Sequence, residues 1–268
     1  MAREWLADRG YLTFAFNTKD TNYLELAYRL AESIKATQKH NNISIVIDSD
    51  TAERIKTKHT DIFDKIIVKG KAGNEYKDFT HQTLAWDLTP YKQTIKIEAD
   101  MYMTGSIDHW WSILDERDIC LTTDVFDHTG KLITDRSQRR LFDDNYLPNV
   151  YNAITYFRYT RESKQFFDIV KLIHQDWPFY RDTLLKNCRY EHPVTDEVFA
   201  IAARIYGEER CTLPFPVPAF LHMKNRLLGI PSDGAWWEYL YVEGDRIGHY
   251  GQRLPVHYNR KDFWRRER

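Results

Sequence analysis

Short apolar runs alternate with segments of helical periodicity along the first part of the chain. The run YLTFAF at 11–16 predicts a strand, and two β-branched runs at 43–48 and 65–70 predict two more. Between the first two runs, apolar residues recur on one face of a helix, at Tyr23, Leu26, Ala27, Leu30, Ala31 and Ile34. Asn22, with Glu25 three residues later, favours a capping box at the start of this helix.

The same alternation continues beyond these elements and then becomes irregular near the C-terminus. A helix-like stretch at about 79–88 precedes the strand TIKIEAD at 94–100. Two further strands and two helices are predicted at 118–123, 149–157, about 161–175 and about 195–206. This order is typical of a parallel sheet that is covered on both faces. We therefore expect an α/β fold with a mostly parallel central sheet, helices on both faces and an irregular C-terminal extension.

Composition places the chain among globular proteins and limits its partners. Hydrophobic residues make up 43% and charged residues 29% of the 268 positions, which is enough for a core under a solvated surface. The net charge of -1 gives no overall field for a polyanion. Nucleic-acid binding would therefore depend on local patches, such as Arg136, Arg139 and Arg140 or the tail at 260–268. The sequence has no apolar run long enough for a bilayer and no signal segment, which predicts a cytoplasmic protein with no membrane partner.

Three acidic residues, Asp48, Glu98 and Asp100, lie at or just after predicted strand ends. In open α/β sheets, ligands bind beyond the carboxyl ends of the strands. Glu98 and Asp100 are separated by one residue, so a turn at the strand end would let both carboxylates reach one ion. Mg²⁺ or Mn²⁺ prefers such oxygen ligands and can bridge them to a diphosphate. The alternative is that both acids are solvated by water at a strand end.

The segment TPYKQTIKIEAD, residues 89–100, resembles the part of GT-A glycosyltransferases that carries the DxD motif, with Glu98 in place of the first Asp. The chain as a whole also resembles glycosyltransferases of tailed phages, which would place it in the host cytoplasm. The resemblance implies a GT-A-like fold and transfer of a sugar from a nucleoside-diphosphate sugar, with a UDP-sugar favoured and Mn²⁺ or Mg²⁺ as cofactor.

Several other segments are similar to this family in the same order, and the resemblance implies roles for their residues. The loop after the first strand, the end of the second strand, the strand VYNAITYF and the late segment VHYNRKDFW imply nucleotide-sugar contacts at Asn17, Thr18, Asp20, Tyr23, Asp48, Asn152 and Lys261. The late segment also implies His257 as the third metal ligand, with His222 as its rival. The helix start at 195–197 implies Asp196 as the catalytic base of an inverting enzyme.

Under this resemblance the chain is one catalytic domain over 1–268. Residues 11–123 would form the nucleotide-binding half, 124–221 the acceptor-side half, and 222–268 an extension that closes the site. No internal repeat or Pro/Gly/Ser linker divides the chain.

The acceptor is left open between two classes. A hydroxymethylated cytosine in double-stranded phage DNA would need stacking rings for the flipped base, for which the candidates are Trp110, Trp111, Trp236 and Trp237. A saccharide acceptor suits the aromatic residues equally well, and no protein partner is inferred. A nucleotide-diphosphate hydrolase or nucleotidyltransferase could use the same metal site, and a non-catalytic binding module is a third alternative. A Walker loop, a GxGxxG turn and a GxSxG elbow are absent from the sequence, which argues against kinases, dinucleotide enzymes and serine hydrolases.

Overall fold

The computed structural model describes residues 3–70, 81–136, 139–224, 227–229 and 237–261, except for the side chains of 227–229 and 237. Its strands, in chain order, are β1 (Ala7–Phe14), β2 (Ile43–Asp48), β3 (Lys65–Lys69), β4 (Tyr91–Ile97), β5 (Met101–Tyr102), β6 (Ile119–Thr122), β7 (Asp124–Phe126), β8 (Tyr151–Arg158), β9 (Ala219–Met223), β10 (Leu227–Gly229), β11 (Trp237–Glu243), β12 (Arg246–Gln252) and β13 (Val256–Tyr258). Its helices are α1 (Tyr23–Thr37), α2 (Ser49–Ala52), α3 (Thr57–Ile62), α4 (Ala85–Leu88), α5 (Trp110–Leu114), α6 (Arg140–Asp144), α7 (Arg161–Gln175), α8 (Trp177–Leu184), α9 (Thr195–Tyr206) and α10 (Glu208–Cys211).

The central sheet has six strands in the order β3-β2-β1-β4-β8-β6. The first four run parallel to one another, as shown by pairs such as Leu12 with Ser44 and with Lys96. Strand β8 is antiparallel to β4 and to β6, so β8 alone in this sheet runs against the other strands. The predicted mostly parallel sheet is confirmed.

Alternate residues of the central strands build two cores, one on each face of the sheet. Tyr11, Ile45 and Ile95 pack into a cluster with buried residues of α1 and α5. Leu12, Val46 and Phe157 point to the other face and pack with buried residues of α7, α8 and α9. Helices cover both faces of the sheet, which confirms the predicted α/β fold.

The predicted start of α1 is confirmed, but only half of its capping box forms. The Asn22 side chain accepts a hydrogen bond from the Glu25 backbone N–H at 3.2 Å. The Glu25 carboxylate turns away from the cap and pairs with Lys58 Nζ at 2.6 Å. The ion pair with Lys58 therefore replaces the second half of the box.

Two element boundaries differ from the prediction. In the segment predicted as a helix at about 79–88, residues 79–80 lie outside the described residues, 81–84 form a 3-10 turn and α4 covers only Ala85–Leu88. Strand β4 begins three residues before the predicted start, at Tyr91, and ends at Ile97. The two acids therefore follow the last strand residue instead of lying within the strand.

The C-terminal extension contains more regular strand than predicted. Strands β10, β11 and β12 form an antiparallel sheet, and β13 lies between β5 and β9 in a second sheet that ends with β7. Gly244 has φ 61° in the two-residue loop that joins β11 to β12, a backbone conformation that a hairpin loop of this length requires. Among the described residues, no helix is long and apolar enough to cross a membrane.

Candidate metal and nucleotide site

The turn after β4 holds Glu98 and Asp100 by their backbones on two sides. The Glu98 N–H donates to the Ala153 carbonyl of β8 at 3.0 Å, and the Asp100 carbonyl accepts from the Tyr258 N–H at 3.2 Å. Strand β13 runs antiparallel to β5, which follows directly after Asp100, and places His257 opposite Met101. The two acids are thus fixed between the central sheet and the late strand that carries His257.

Glu98, Asp100 and His257 converge on one point at the carboxyl edge of the central sheet. Their ligand atoms all lie within 4.8 Å of one another. His257 Nε2 is 3.4 Å from Glu98 Oε2 and 3.3 Å from Asp100 Oδ2. Lys261 Nζ pairs with Asp100 Oδ2 and lies 5.7 Å from the centre of the Tyr23 ring. Five predicted site residues are therefore neighbours in the folded chain.

The charges of this cluster depend on one another. Burial alone would raise the pKa of Asp100, but the adjacent His257 and Lys261 outweigh it and hold that pKa well below its usual range. Burial opposes protonation of His257, yet Asp100 and Glu98 raise its pKa above the ordinary value. Burial raises the pKa of Glu98, with Lys96 and His257 acting against it. His257 and Lys261 stabilise the carboxylates by their positive charge. A divalent ion bound at this point would supply that charge in place of the proton on the His257 ring.

His222, the rival ligand, lies one strand away from the cluster. It is opposite His257 in the β9–β13 register, and the two rings stack with centroids 5.0 Å apart and planes at 14°. Its Nε2 donates to Asn259 Oδ1 at 2.5 Å, and burial lowers its pKa to about 4. Among the described residues, the group whose ligand atoms converge contains His257 and not His222.

Lys96 is a site residue that the sequence reasoning did not identify. Its side chain is 2% exposed, and its ammonium group donates to the Asn152 carbonyl of the neighbouring strand. Burial lowers its pKa, while Glu98, Asp196 and Asp100 act in the opposite direction. The sequence did contain a signal for it, a lysine in a buried strand two residues before an acid. An unpaired buried ammonium is very unfavourable, so such a lysine must have a polar or charged partner.

Four of the predicted nucleotide-sugar contacts follow β1 or end β2: Asn17, Thr18, Asp20 and Asp48. Asn17 Oδ1 accepts from the Leu24 N–H at 2.9 Å, while its Nδ2 is buried and has no hydrogen-bond partner among the described residues. Asp48 Oδ1 accepts from the Thr51 N–H at 2.7 Å and so caps α2. Thr18 and Asp20 are exposed in the loop between β1 and α1. Asn17 therefore has a buried amide nitrogen that no described residue uses.

His81 is a second residue that the sequence reasoning missed at this edge. Its ring lies 5.0 Å from the Phe16 ring, at a tilt of 35°. Both ring nitrogens are buried and have no hydrogen-bond partner among the described residues, and burial lowers the pKa of the ring. Its position within a stretch predicted as helical gave no signal of a site.

Asp196 and Asn152 form a partly buried network whose charge acts on Glu98 of the metal cluster. Asp196 Oδ1 accepts from the Asn152 N–H at 2.9 Å, and Asp196 Oδ2 accepts from Arg139 at 3.0 Å. The Arg139 guanidinium lies 3.9 Å from the centres of both the Phe142 and Tyr151 rings. The Asn152 side chain is fully buried, and its amide bonds to Gln82 and Thr155.

Two of the four predicted stacking rings are not available for a flipped base. Trp110 and Trp111 are 3% and 0% exposed and pack in the core beneath α5, so the prediction that they stack on a ligand is wrong. Apolar burial explains both rings, since large aromatic side chains dominate protein cores. Trp236 and the side chain of Trp237 lie outside the described residues.

The predicted basic patch is also used within the protein. Arg136 Nε is 2.7 Å from Asp143 Oδ1, and Arg139 pairs with Asp196. Residues 262–268 of the basic tail lie outside the described residues. Two of the three clustered arginines therefore neutralise acidic side chains of the same chain.

No family model and no curated protein matches this sequence. Among solved structures, the chain is similar to the apo form of mouse xyloside xylosyltransferase 1, with 11% identity, a TM-score of 0.49, and coverage of 78% of this chain and 85% of that chain. It is also similar to apo GlyE of Streptococcus pneumoniae TIGR4, with 11% identity and a TM-score of 0.43, over 77% of this chain and 45% of that chain. The apo bifunctional glycosyltransferase WbbM gives 11% identity and a TM-score of 0.46, over 80% and 40% of the two chains.

The chain spans less than half the length of GlyE and of WbbM. Likeness at this level of identity and score does not decide an activity. The function proposed below therefore rests on the contacts and charges of the described residues.

Glu197, beside Asp196, is a buried carboxyl group with an unusual protonation equilibrium. Its side chain is 6% exposed, and its Oε2 has no hydrogen-bond partner among the described residues. Burial, with a smaller contribution from the Asp196 charge, raises its pKa from 4.5 to about 7. The folded protein therefore holds a proton here that the unfolded chain releases at lower pH.

Replacing Glu197 with glutamine is expected to change how stability depends on pH. Because the folded-state pKa is the higher one, the parent protein loses stability as pH rises from about 4.5 to about 7 and does not recover it above that pH. Glu197→Gln removes this loss, so the variant should gain about 3 kcal/mol relative to the parent between pH 5 and pH 8. Urea unfolding at the two pH values measures the difference. The exposed Glu191→Gln is the control, and a Glu197→Gln effect that does not change with pH would contradict the assignment.

Proposed function

We propose that this chain is a metal-dependent glycosyltransferase that moves a sugar from a nucleoside-diphosphate sugar, with a UDP-sugar favoured, to an acceptor hydroxyl. The observation that carries the proposal is the convergence of Glu98, Asp100 and His257 at the carboxyl edge of the central sheet. Lys261 adds a positive charge at the same point. A cluster with this composition suits a ligand that brings both a divalent cation and a diphosphate.

The donor atoms fit a hard divalent cation. Two carboxylates and one imidazole within 4.8 Å match the oxygen and nitrogen ligands that Mn²⁺ accepts, and Mg²⁺ could use the two carboxylates. Glu98, Asp100 and His257 would hold the ion. When bound, it would neutralise the negative charge that develops on the departing diphosphate.

The chain's own residues would bind the donor around this point. Lys261 would offset charge on the diphosphate, and the half-buried Tyr23 ring beside it would line the same surface. Asn17, Thr18 and Asp20 would contact the nucleotide from the loop after β1, and the Asn17 Nδ2 has no hydrogen-bond partner among the described residues.

The nucleoside would lie farther along the same edge. Asp48 stands at the end of β2, and the His81 ring lies against Phe16, two residues after β1. The His81 nitrogens have no hydrogen-bond partner among the described residues. Asn152 is fully buried, and both atoms of its amide bond within the protein, so we assign it a positioning role for Lys96 and Asp196.

Asp196 is the proposed base of an inverting reaction. The acceptor oxygen would form a bond to the anomeric carbon while the bond from that carbon to the diphosphate oxygen breaks and its electron pair leaves with the diphosphate. The proton of the acceptor hydroxyl would pass to Asp196, which Arg139 and the Asn152 N–H hold in place. A retaining enzyme would need no base of its own at this position.

A saccharide is the acceptor that the described residues favour. Two of the four candidate stacking rings are in the core, and two of the three clustered arginines are paired with acids. Each of these observations removes a reason to expect a hydroxymethylated cytosine in DNA.

Isothermal titration calorimetry with UDP tests the proposal on the full chain. UDP should bind in the presence of Mn²⁺ and lose most of its affinity when a chelator is added, because the ion links the carboxylates to the diphosphate. Mass spectrometry of reactions with a UDP-sugar and a sugar panel then follows the product. Absence of metal-dependent UDP binding would overturn the proposal, and release of a monophosphate without any glycosylated product would indicate a hydrolase.

A further inference from the structure

A cavity of about 450 Å³ opens between β7, the loop at 132–136 and α10, at the edge of the central sheet that also carries the metal cluster. We propose that this cavity binds the acceptor, and that the acceptor is an uncharged polyhydroxyl compound, a saccharide. This inference rests on the proposed function and makes its acceptor specific.

The cavity lies at the same edge of the sheet as the metal cluster. Thr123 and Asp124 follow the carboxyl end of β6, and Asn149 comes just before β8, whose amino end lies next to the end of β4. Two ring contacts lead from this region to the metal ligand. The Tyr151 ring is 6.2 Å from the Phe220 ring, which is 5.7 Å from the His257 ring.

The polar atoms that line the cavity suit hydroxyl groups. Asn149 Nδ2 donates to the Thr123 carbonyl at 3.3 Å, which fixes the amide, while Asn149 Oδ1 is buried and has no hydrogen-bond partner among the described residues. An unsatisfied buried acceptor gains from a ligand donor. The Asp124 carboxylate and the Thr134 and Thr212 hydroxyls add acceptors and donors, and a sugar hydroxyl can serve as either.

The apolar part of the lining suits the C–H groups on the faces of a sugar ring. Leu132, Ile133 and Leu213 provide aliphatic surface in the same cavity. A pyranose has C–H groups on its faces and hydroxyl groups around its rim, so it can use both kinds of surface at once. The volume is within the range of small-molecule sites.

The charges of the lining disfavour a nucleic acid. Asp124 and Glu208 are acidic, and Arg136 is the basic side chain of the lining. The Arg136 Nε lies 2.7 Å from Asp143 Oδ1, so its charge is already compensated. Binding of a phosphodiester backbone needs uncompensated Lys or Arg side chains.

Saturation-transfer NMR with a panel of methyl glycosides of glucose, galactose, mannose, xylose and N-acetylglucosamine tests the proposal on the full chain. We expect at least one glycoside to bind, and Asn149→Ala to weaken its binding about tenfold or more. Asp124→Asn should weaken the same glycoside and serves as a second variant if Asn149→Ala does not fold. Asn41→Ala, the same change at the opposite end of the sheet, should leave glycoside binding unchanged.

The outcomes separate this proposal from the proposed function, because UDP binding with Mn²⁺ is titrated on the same samples. If UDP binds and none of the glycosides does, the cavity proposal is wrong and the proposed function stands. If a glycoside binds through Asn149 and UDP does not bind, the proposed function is wrong and the cavity is a saccharide site. A duplex that contains 5-hydroxymethylcytosine is the opposing probe, and loss of its binding in Asn149→Ala would overturn the saccharide assignment.

Discussion

Glu98→Gln and Asp100→Asn are each expected to abolish Mn²⁺-dependent UDP binding and to lower sugar transfer by about 10³-fold or more. Both changes keep the size of the side chain and remove one negative charge from the three-residue cluster. Asp100 is the more sensitive position, because both His257 and Lys261 pair with it. Without the Asp100 charge, the Lys261 ammonium would have no counter-ion at this point and would repel the metal.

Calorimetry with Mn²⁺ and UDP measures the first effect, and initial rates of UDP release measure the second. The exposed Asp61→Asn and Glu53→Gln make the same chemical changes away from the site and should behave as the parent protein does. His257→Ala should follow Asp100→Asn in this titration, whereas His222→Ala should retain the metal. Full metal dependence in Glu98→Gln and Asp100→Asn would contradict the proposed metal site.

Asp196→Asn is expected to lower kcat by about 10² to 10⁴-fold while Mn²⁺-dependent UDP affinity changes little. An asparagine can still accept the hydrogen bond from the Asn152 N–H, but it cannot take the acceptor proton. The Arg139 guanidinium, held between two aromatic rings, would lose its ionic partner. Some loss of stability is therefore expected along with the loss of rate.

A pH profile distinguishes the chemical role of Asp196 from a structural one. If Asp196 removes the proton, the acidic limb of the kcat profile should disappear in Asp196→Asn. Arg139→Met serves as the structural control, because it breaks the same ion pair and leaves the carboxylate in place. Equal losses in both variants, with unchanged profiles, would show that Asp196 only supports the fold. A loss of less than about tenfold would favour a retaining reaction.

Local patterns were sufficient to predict the elements that build the central sheet. The β-branched run at 43–48 is β2, and the helices predicted at about 161–175 and 195–206 are α7 and α9. In these segments the pattern follows burial directly, because β2 is buried on both faces and α7 and α9 pack on one face of the sheet. Strand ends were less well predicted, as β4 shows at both ends.

Long-range features of the site were not predictable from local pattern. Composition cannot distinguish a core tryptophan from a ligand-stacking one, so Trp110 and Trp111 were candidates for stacking until the structure placed both in the core. Nothing in the pattern around Lys96 revealed that its ammonium would meet the Asn152 carbonyl across a strand pair. The register between β4 and β8, which are distant in the sequence, decided the Lys96 contact, and register follows from the whole fold.

The position of β13 between β5 and β9 has a consequence for folding as well as for chemistry. Lys261 and Asp100, which pair in the site, are 161 residues apart in the chain. An ion bound by Glu98, Asp100 and His257 would act as a removable cross-link between the central sheet and a late strand. Since the unfolded chain has no such assembled site, the ion would stabilise the folded state in proportion to RT ln(1 + [M]/Kd). Metal supply would then set how firmly the late strand is held.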